Sequence, residues 1–387
     1  MSGLAAIFHR NGRPVDRESV GAMLAAIPHR GLDGYGMRLW NQVGLGHAKA
    51  AVTHEEEDEQ QPLVSSRSNC AVIADARLDN RSELLATLPD SPPTAASDAE
   101  LILRAYEAWG LDAPARLLGD FAFIIWDARR QRIVCARDTS GQRSLYYRID
   151  RRTFVAASEI HQLFQDPSVP IAPNEERIRD YLVPYAAMRN QEEIHATFYE
   201  KIYAVPAGHV VVVDARSERR QRYWNLLPPP ELHCTSDHEY AAHFVNVLGE
   251  ALRARLRSTR RVGATLSGGL DSSSLVCLAQ HLFSLKLAED HGFTIFSLLF
   301  DNLDCDERPF IEDIQTKYGL NVQFLRLIGI GRDFDPAPQG FMRAPQMPVT
   351  SFDAVLAAAS QQDVRVLLTG IFADNCFPWT WLYFSSL

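Results

Sequence analysis

The chain has 387 residues, 46% apolar and 22% charged, with a net charge of −9. That length suits two or three domains with real cores, and the acidic balance argues against general nucleic-acid or acidic-membrane binding. No apolar run approaches the roughly 20 residues that span a bilayer, and Met1 to Arg13 carries no secretory pattern.

In chain order, Ser2 to Phe8 reads as a strand and Glu18 to Ile27 as an amphipathic helix, followed by His29-Arg30-Gly31-Leu32-Asp33-Gly34. Strand signals recur at Val43–Leu45, Cys70–Ala74, Phe121–Trp126, Ile133–Ala136, Ser144–Tyr147 and Phe154–Ala157. Glu55 to Glu59 is an acidic run expected to be a solvated loop. Ser97 caps a helix running to Trp109. Many short strands with two intervening helices predict a two-sheet sandwich flanked by helices. The proline-rich stretch at 226–236 reads as a linker, and Ser236-Asp237 caps a long helix over Glu239 to Arg257.

Val262 to Thr265 then reads as a buried strand and Leu275 to Ala279 as the body of a helix, with Leu266-Ser267-Gly268-Gly269-Leu270-Asp271-Ser272-Ser273 between them. Strand, glycine turn and helix make an anion site: the glycines admit a ligand close to the backbone, and the new helix points unpaired N–H groups at it. Asp271 adds a carboxylate suited to Mg²⁺ held through phosphate oxygens. Phe293–Phe300, Val322–Leu327 and Val364–Leu368 read as further strands, with helices over Glu307–Tyr318 and Phe352–Ser360, an alternation that predicts a parallel doubly wound sheet. The six cysteines are widely spaced without paired motifs, so free thiols in a reducing cytoplasm are expected.

The loop resembles the SGGxDS pyrophosphate loop of the N-type ATP pyrophosphatases. Ahead of it, Arg30-Gly31-Leu32-Asp33, Gly119 to Phe123, Arg137-Asp138 with Leu145-Tyr146-Tyr147, Ala157 to Ile160, Val205 to His209 and Arg222-Tyr223-Trp224 are similar, in order, to motifs of the class II glutamine amidotransferase domain of asparagine synthetases. The resemblance implies an Ntn-type αββα sandwich over 1–225, the linker at 226–236, and an adenine nucleotide α-hydrolase-like ATP-pyrophosphatase domain over 237–387. It implies ATP and Mg²⁺ as cofactors, with a small-molecule or peptide carboxylate turned into an acyl-adenylate for attack by an amine.

By the same resemblance, Leu266 and Leu298 contact the nucleoside, Ser267, Gly268, Gly269, Ser272 and Ser273 cradle pyrophosphate, and Thr369-Gly370 opens a second loop whose Asp374 joins Asp271 on the metal. Ile371 stands where the family has a glutamate associated with ammonia attack, and Asn375 replaces a second one. In the first domain the nucleophilic cysteine is replaced by Ser2, a far weaker nucleophile. The glutamine pocket maps to Lys49, Asp75, Arg77 and Asp98, with a charge reversal at Arg77. These changes point away from asparagine synthesis and towards relatives that use an amine already on the substrate, the β-lactam synthetases and lasso-peptide macrolactam cyclases, the latter being closer. A glutamine-hydrolysing synthetase using Ser2, and a non-catalytic binding protein, are the alternatives. Family members continue past the second loop, so a truncated chain, completed by a second chain or working as a homodimer, is expected, with Phe377, Trp379, Trp381, Tyr383 and Phe384 needing cover.

Overall fold

The computed structural model describes residues 1–89, 92–183, 195–227, 230–300, 306–326 and 351–371. The chain divides into two units, Met1–Pro230 and Glu231–Leu387. In the first, strands β1 (Gly3–His9), β2 (Tyr35–Trp40), β3 (Val43–Ala48), β4 (Leu63–Val64), β5 (Cys70–Leu78), β6 (Gly119–Asp127), β7 (Arg132–Arg137), β8 (Tyr146–Ile149), β9 (Thr153–Ala157), β10 (Tyr203–Ala204), β11 (His209–Asp214) and β12 (Glu218–Arg222) form two six-stranded sheets. Their orders are β10-β8-β9-β1-β3-β2 and β12-β11-β7-β6-β5-β4, with antiparallel pairing in both. The helices are α1 (Arg17–Ala25), α2 (His54–Glu57), α3 (Arg81–Thr87), α4 (Asp98–Trp109), α5 (Ile160–Leu163) and α6 (Glu175–Leu182).

Strand alternation sorts the apolar side chains into three layers. Leu4, Ala6 and Phe8 of β1 meet Ala71, Ile73, Ile124 and Trp126 in the core between the sheets. The alternate residues of β1, Ala5 and Ile7, face outward onto Val20, Met23 and Leu24 of α1. On the other side, Val72 and Ala74 of β5 pack under Leu101, Ile102 and Ala105 of α4. Both sheets are thus covered on both faces, the helix–sheet–sheet–helix sandwich expected from the strand pattern.

Two expectations need correction. The acidic run is not a solvated loop: it forms α2, and Glu56 turns inward to accept the N–H groups of Val52 (2.7 Å) and Thr53 (2.9 Å). Burial raises the carboxyl pKa values of both Glu56 and Glu59. The strand expected at Ser144–Tyr147 lies two residues later, at Tyr146–Ile149.

In the second unit, α7 (Asp237–Leu256), β13 (Arg261–Thr265), α8 (Leu270–Ser284), β14 (Thr294–Leu299), α9 (Arg308–Tyr318), β15 (Val322–Arg326), α10 (Ser351–Gln361) and β16 (Val364–Leu368) follow in turn. The strands are parallel, in the order β15-β14-β13-β16. Ala264, Leu266 and Ile295 pack on Val276 of α8 and Ile311 of α9, whereas Phe296 packs on Val355 and Ala358 of α10. Helices therefore cover both faces, as in a doubly wound sheet. Among the described residues no helix is long and apolar enough to cross a membrane. Cys70, Cys135, Cys234 and Cys277 are free, and Cys305 and Cys376 lie outside the described residues.

Candidate functional site

In the second unit the chain runs from β13 through α8 to β14 and through α9 to β15 on one side. It returns to β16 on the opposite side of β13. The winding direction reverses between β13 and β16, and the carboxyl ends of strands at such a switch point are the usual ligand position in an open α/β sheet. The segments leaving those ends are Leu266–Asp271 and Thr369–Gly370.

The glycines set how closely the pieces approach. Gly268 has φ +91°, and a Cβ there would meet the Cβ of Glu307 at 2.9 Å. A Cβ on Gly370 would lie 2.8 Å from the Ser272 nitrogen and 3.0 Å from the Asp271 Cβ. The second loop therefore starts in direct contact with the first turn of α8. Ser267 and Ser272 tie the loop internally: the Ser267 N–H donates to Ser272 Oγ (3.0 Å), and the two hydroxyls bond each other at 2.9 Å.

Gly269 caps α8 with no side-chain bond to the helix, so its first-turn N–H groups face outward without a built-in acceptor. The Ser273 hydroxyl is buried without a hydrogen-bond partner, as is that of Ser297 on β14. A turn with spare donors and no room for Cβ atoms suits a polyanion lying along the backbone.

The structure brings Ser267, Gly268, Gly269, Asp271, Ser272, Ser273, Thr369 and Gly370 to one end of the sheet. Leu266 and Leu298 are placed differently. Leu266 is buried in the core under α8 and α9, and Leu298 packs against the cluster under α10, on opposite faces of the sheet. Leu266 is 1% exposed, whereas Leu298 is only partly buried at its strand end. Ile371 is 55% exposed beside Gly370. Asp374, Asn375 and the aromatic residues from Phe377 to Phe384 lie outside the described residues. The sequence reading missed Glu307, whose backbone and Cβ close over Gly268. The readable signal was an acidic residue just ahead of a helix with proline in its first turn, Glu307-Arg308-Pro309.

In the first unit Ser2 precedes β1, at the end of β5 where Asp75 and Arg77 follow Ala71 and Ile73 on the same strand face. The Ser2 N–H donates to Asp75 Oδ1 at 3.1 Å, Ser2 Oγ accepts from the Ala50 N–H at 3.1 Å, and its carbonyl accepts from Arg30 Nη1 at 2.9 Å. Arg30 also bonds Glu159, and Asp75 lies 3.7 Å from both Arg30 and Arg143. Burial lowers the His47 pKa to about 4, against the opposing pull of Asp75, so its imidazole is neutral at pH 7.

The remaining pocket positions are held by the protein itself. Lys49 Nζ donates to the carbonyls of Glu57 (2.6 Å) and Glu59 (2.9 Å). Asp98, 3% exposed, accepts the Leu78 N–H at 2.9 Å and a guanidinium N–H of Arg81, which also meets Glu55 at 3.2 Å. Arg77 is likewise buried. Ser2, Lys49, Asp75 and Asp98 are thus each engaged by internal partners, and the acidic segment around α2 supplies several of them.

The chain thus joins a helix–sheet–sheet–helix sandwich to a doubly wound parallel-sheet unit. Residues 1–224 match a family model described as glutamine amidotransferase domain, and residues 243–380 match one described as asparagine synthase. The chain belongs to the asparagine synthetase family. It is 29% identical over 379 residues to "Amidase chry2" of Gibberella zeae, covering 93% of this chain and 55% of that protein. It is 24% identical over 403 residues to "Amidase chyE" of Penicillium rubens, covering 97% and 59%. With asparagine synthetase (glutamine-hydrolysing) 2 of Bacillus subtilis it shares 26% identity over 285 residues, covering 71% and 37%. The chain spans about half the length of the curated relatives it matches.

Proposed function

We propose that this protein is an ATP-dependent carbon–nitrogen ligase that adenylates a small-molecule or peptide carboxylate and passes it to an amine already carried by the substrate. The observation that carries the reading is the contact of Gly370 with Asp271 and Ser272 at the point where the sheet changes winding direction. The residues fit a nucleotide: backbone donors at the start of α8, the unpartnered Ser273 hydroxyl, and glycines at 268 and 370 where side chains would collide. Asp271 would hold Mg²⁺, with Asp374 as the proposed second ligand, and the ion would neutralise charge on the phosphate oxygens.

In the first step a carboxylate oxygen attacks the α-phosphorus, the bond to the β-phosphate bridging oxygen breaks, and pyrophosphate leaves. The Ser267–Ser273 turn would hold the departing charge by backbone donors. In the second step the amine nitrogen attacks the acyl carbon and AMP leaves with the mixed-anhydride oxygen. Ile371 has no group to accept the proton that the amine sheds, so the proton goes to a base elsewhere. We assign no glutamine hydrolysis to the first unit, because the side chains at its pocket positions are already bonded within the protein. A fungal amidase and asparagine synthetases among the relatives support amide chemistry in general, and the macrolactam form of it remains a proposal for this chain.

The test is Mg²⁺-dependent ATP binding by calorimetry on the full chain, beside pyrophosphate release with candidate carboxylates. In Asp271→Asn the affinity gained on adding Mg²⁺ is expected to fall by roughly tenfold or more, equal to ~1.4 kcal/mol. An unchanged Mg²⁺ dependence would sink the assignment.

A further inference from the structure

A cavity of about 500 Å³ opens on the outer side of the first unit's second sheet, away from Ser2. Its walls come from the turn before β5 (Arg67, Ser68), the second half of α4 (Arg104, Tyr106, Glu107) and the β6–β7 turn (Arg129, Arg130), with Asp127 in its lining. Four arginines and two carboxylates line it. Both acids are already engaged. Asp127, fully buried, accepts the Tyr106 hydroxyl at 2.8 Å, the Arg130 N–H at 3.0 Å and Arg130 Nη1 at 3.1 Å. Glu107 accepts the Ser68 hydroxyl.

The cations are only partly used. Arg104 gives Nε and Nη2 to Glu100, Arg129 gives Nη2 to the Arg67 carbonyl, and Arg130 gives Nη1 to Asp127. A guanidinium carries five N–H donors, more than these bonds use, and all three residues line the cavity. Asp127, Glu107 and the neighbouring Glu100 keep their negative charges, but the four lining arginines outnumber these three acids, so the recess is net positive. Guanidinium forks match the oxygens of a phosphoryl group, and the volume is in the range of small-ligand sites.

We propose that this cavity binds a phosphorylated small metabolite. The site is separate from the Ser2 region: Cys70 and Asp75 of β5 are about 17 Å apart at 3.3 Å per residue. It also lies in a different unit from the α8 turn, so it stands or falls independently of the proposed ligase activity.

The experiment is calorimetric titration of the full chain with ribose 5-phosphate, ribose and succinate. The chain carries Gly370→Val, so that the α8 turn does not contribute a second phosphate site. Saturable binding of ribose 5-phosphate is expected, without matching affinity for ribose or succinate, and it should weaken at least tenfold in an Arg104→Gln, Arg129→Gln double variant. Arg104 is half-buried and pairs with Glu100 on its own helix, Arg129 is exposed, and circular dichroism checks that the fold is kept. No saturable binding, equal binding of succinate, or full affinity in the double variant would overturn the proposal.

Discussion

The contact between the two loops of the second unit can be tested with one methyl group. In Gly370→Ala the new Cβ would sit 2.8 Å from the Ser272 nitrogen and 3.3 Å from the Asp271 carbonyl carbon. Both are backbone atoms at the first turn of α8, so neither can rotate away as a flexible side chain would. The loop must retreat by several tenths of an ångström, and overpacking of this kind costs about 1–3 kcal/mol. Gly249 in α7 provides a control of opposite sign within the same unit. A Cβ there meets nothing within 4 Å, so Gly249→Ala should gain about 0.5–1 kcal/mol from helix propensity. Hydrogen exchange of α8 and β16 amides measures stability locally, and calorimetry measures Mg-ATP affinity. Gly370→Ala should lose protection in both elements and at least tenfold in affinity, whereas Gly249→Ala should raise protection and leave affinity alone. Wild-type exchange and affinity in Gly370→Ala would show that Thr369–Gly370 does not abut the turn, and the site would dissolve with it.

Asp98→Ala removes a buried acceptor from the Leu78 N–H and one of the two carboxylates that meet Arg81, Glu55 remaining, so the first unit should lose about 1–3 kcal/mol in denaturant unfolding. Asp98→Asn keeps an acceptor and should lose less. Burial raises the Glu56 carboxyl pKa above its ordinary 4.5, so the folded state holds this proton more tightly than the unfolded one. Stability from this group therefore falls as pH rises through that range, and the penalty is complete above the raised value. Glu56→Gln, which can still accept from Val52 and Thr53, should be more stable than the parent at pH 7, with the advantage vanishing below pH 4.5. A constant difference across that range would refute the titration. Among the described cysteines, Cys234 and Cys277 should react with a thiol reagent before the buried Cys70 and Cys135, read by peptide mass mapping.

Sequence legibility tracked how local the cause was. The long helix expected over Glu239–Arg257 forms over Asp237–Leu256 because Ser236 caps it through the Glu239 N–H at 3.3 Å, a signal contained in four residues. Strands β5 and β6 were readable because apolar side chains fill both of their faces. Strand β12 was not, since Glu218–Arg222 is polar and exposed throughout and owes its conformation to pairing with β11. The acidic run misled for a related reason. Its composition is that of a solvated segment, but Arg81 and Lys49, distant in the chain or on the next turn of it, pull it against the sandwich. The glycines of the α8 turn announced a close approach, while its partner, Glu307, sits at the start of another helix, so Glu307-Arg308-Pro309 marks that helix start but not what it packs against.

Placing a thiol at residue 2 tests whether the first unit can act on glutamine. Ser2→Cys supplies the better nucleophile, but the surroundings stay as they are. Asp75 accepts the residue-2 N–H at 3.1 Å and places a negative charge beside any thiolate, which opposes its formation. Arg30 and Arg143 lie 3.7 Å from Asp75 and offset part of that charge, so the thiol alone is not the main obstacle. The larger barrier is recognition. A glutamine carboxylate would have to draw Lys49 from two carbonyls, and its ammonium would have to displace Arg81 and the Leu78 N–H from Asp98. Each exchange leaves a buried polar group unpaired at about 1–3 kcal/mol, and together these cancel the affinity expected of a small ligand. Ser2→Cys should therefore release no ammonia from glutamine above the parent chain, although it should react with an electrophilic thiol probe. Measurable glutamine turnover in that single variant would refute this account of Lys49 and Asp98.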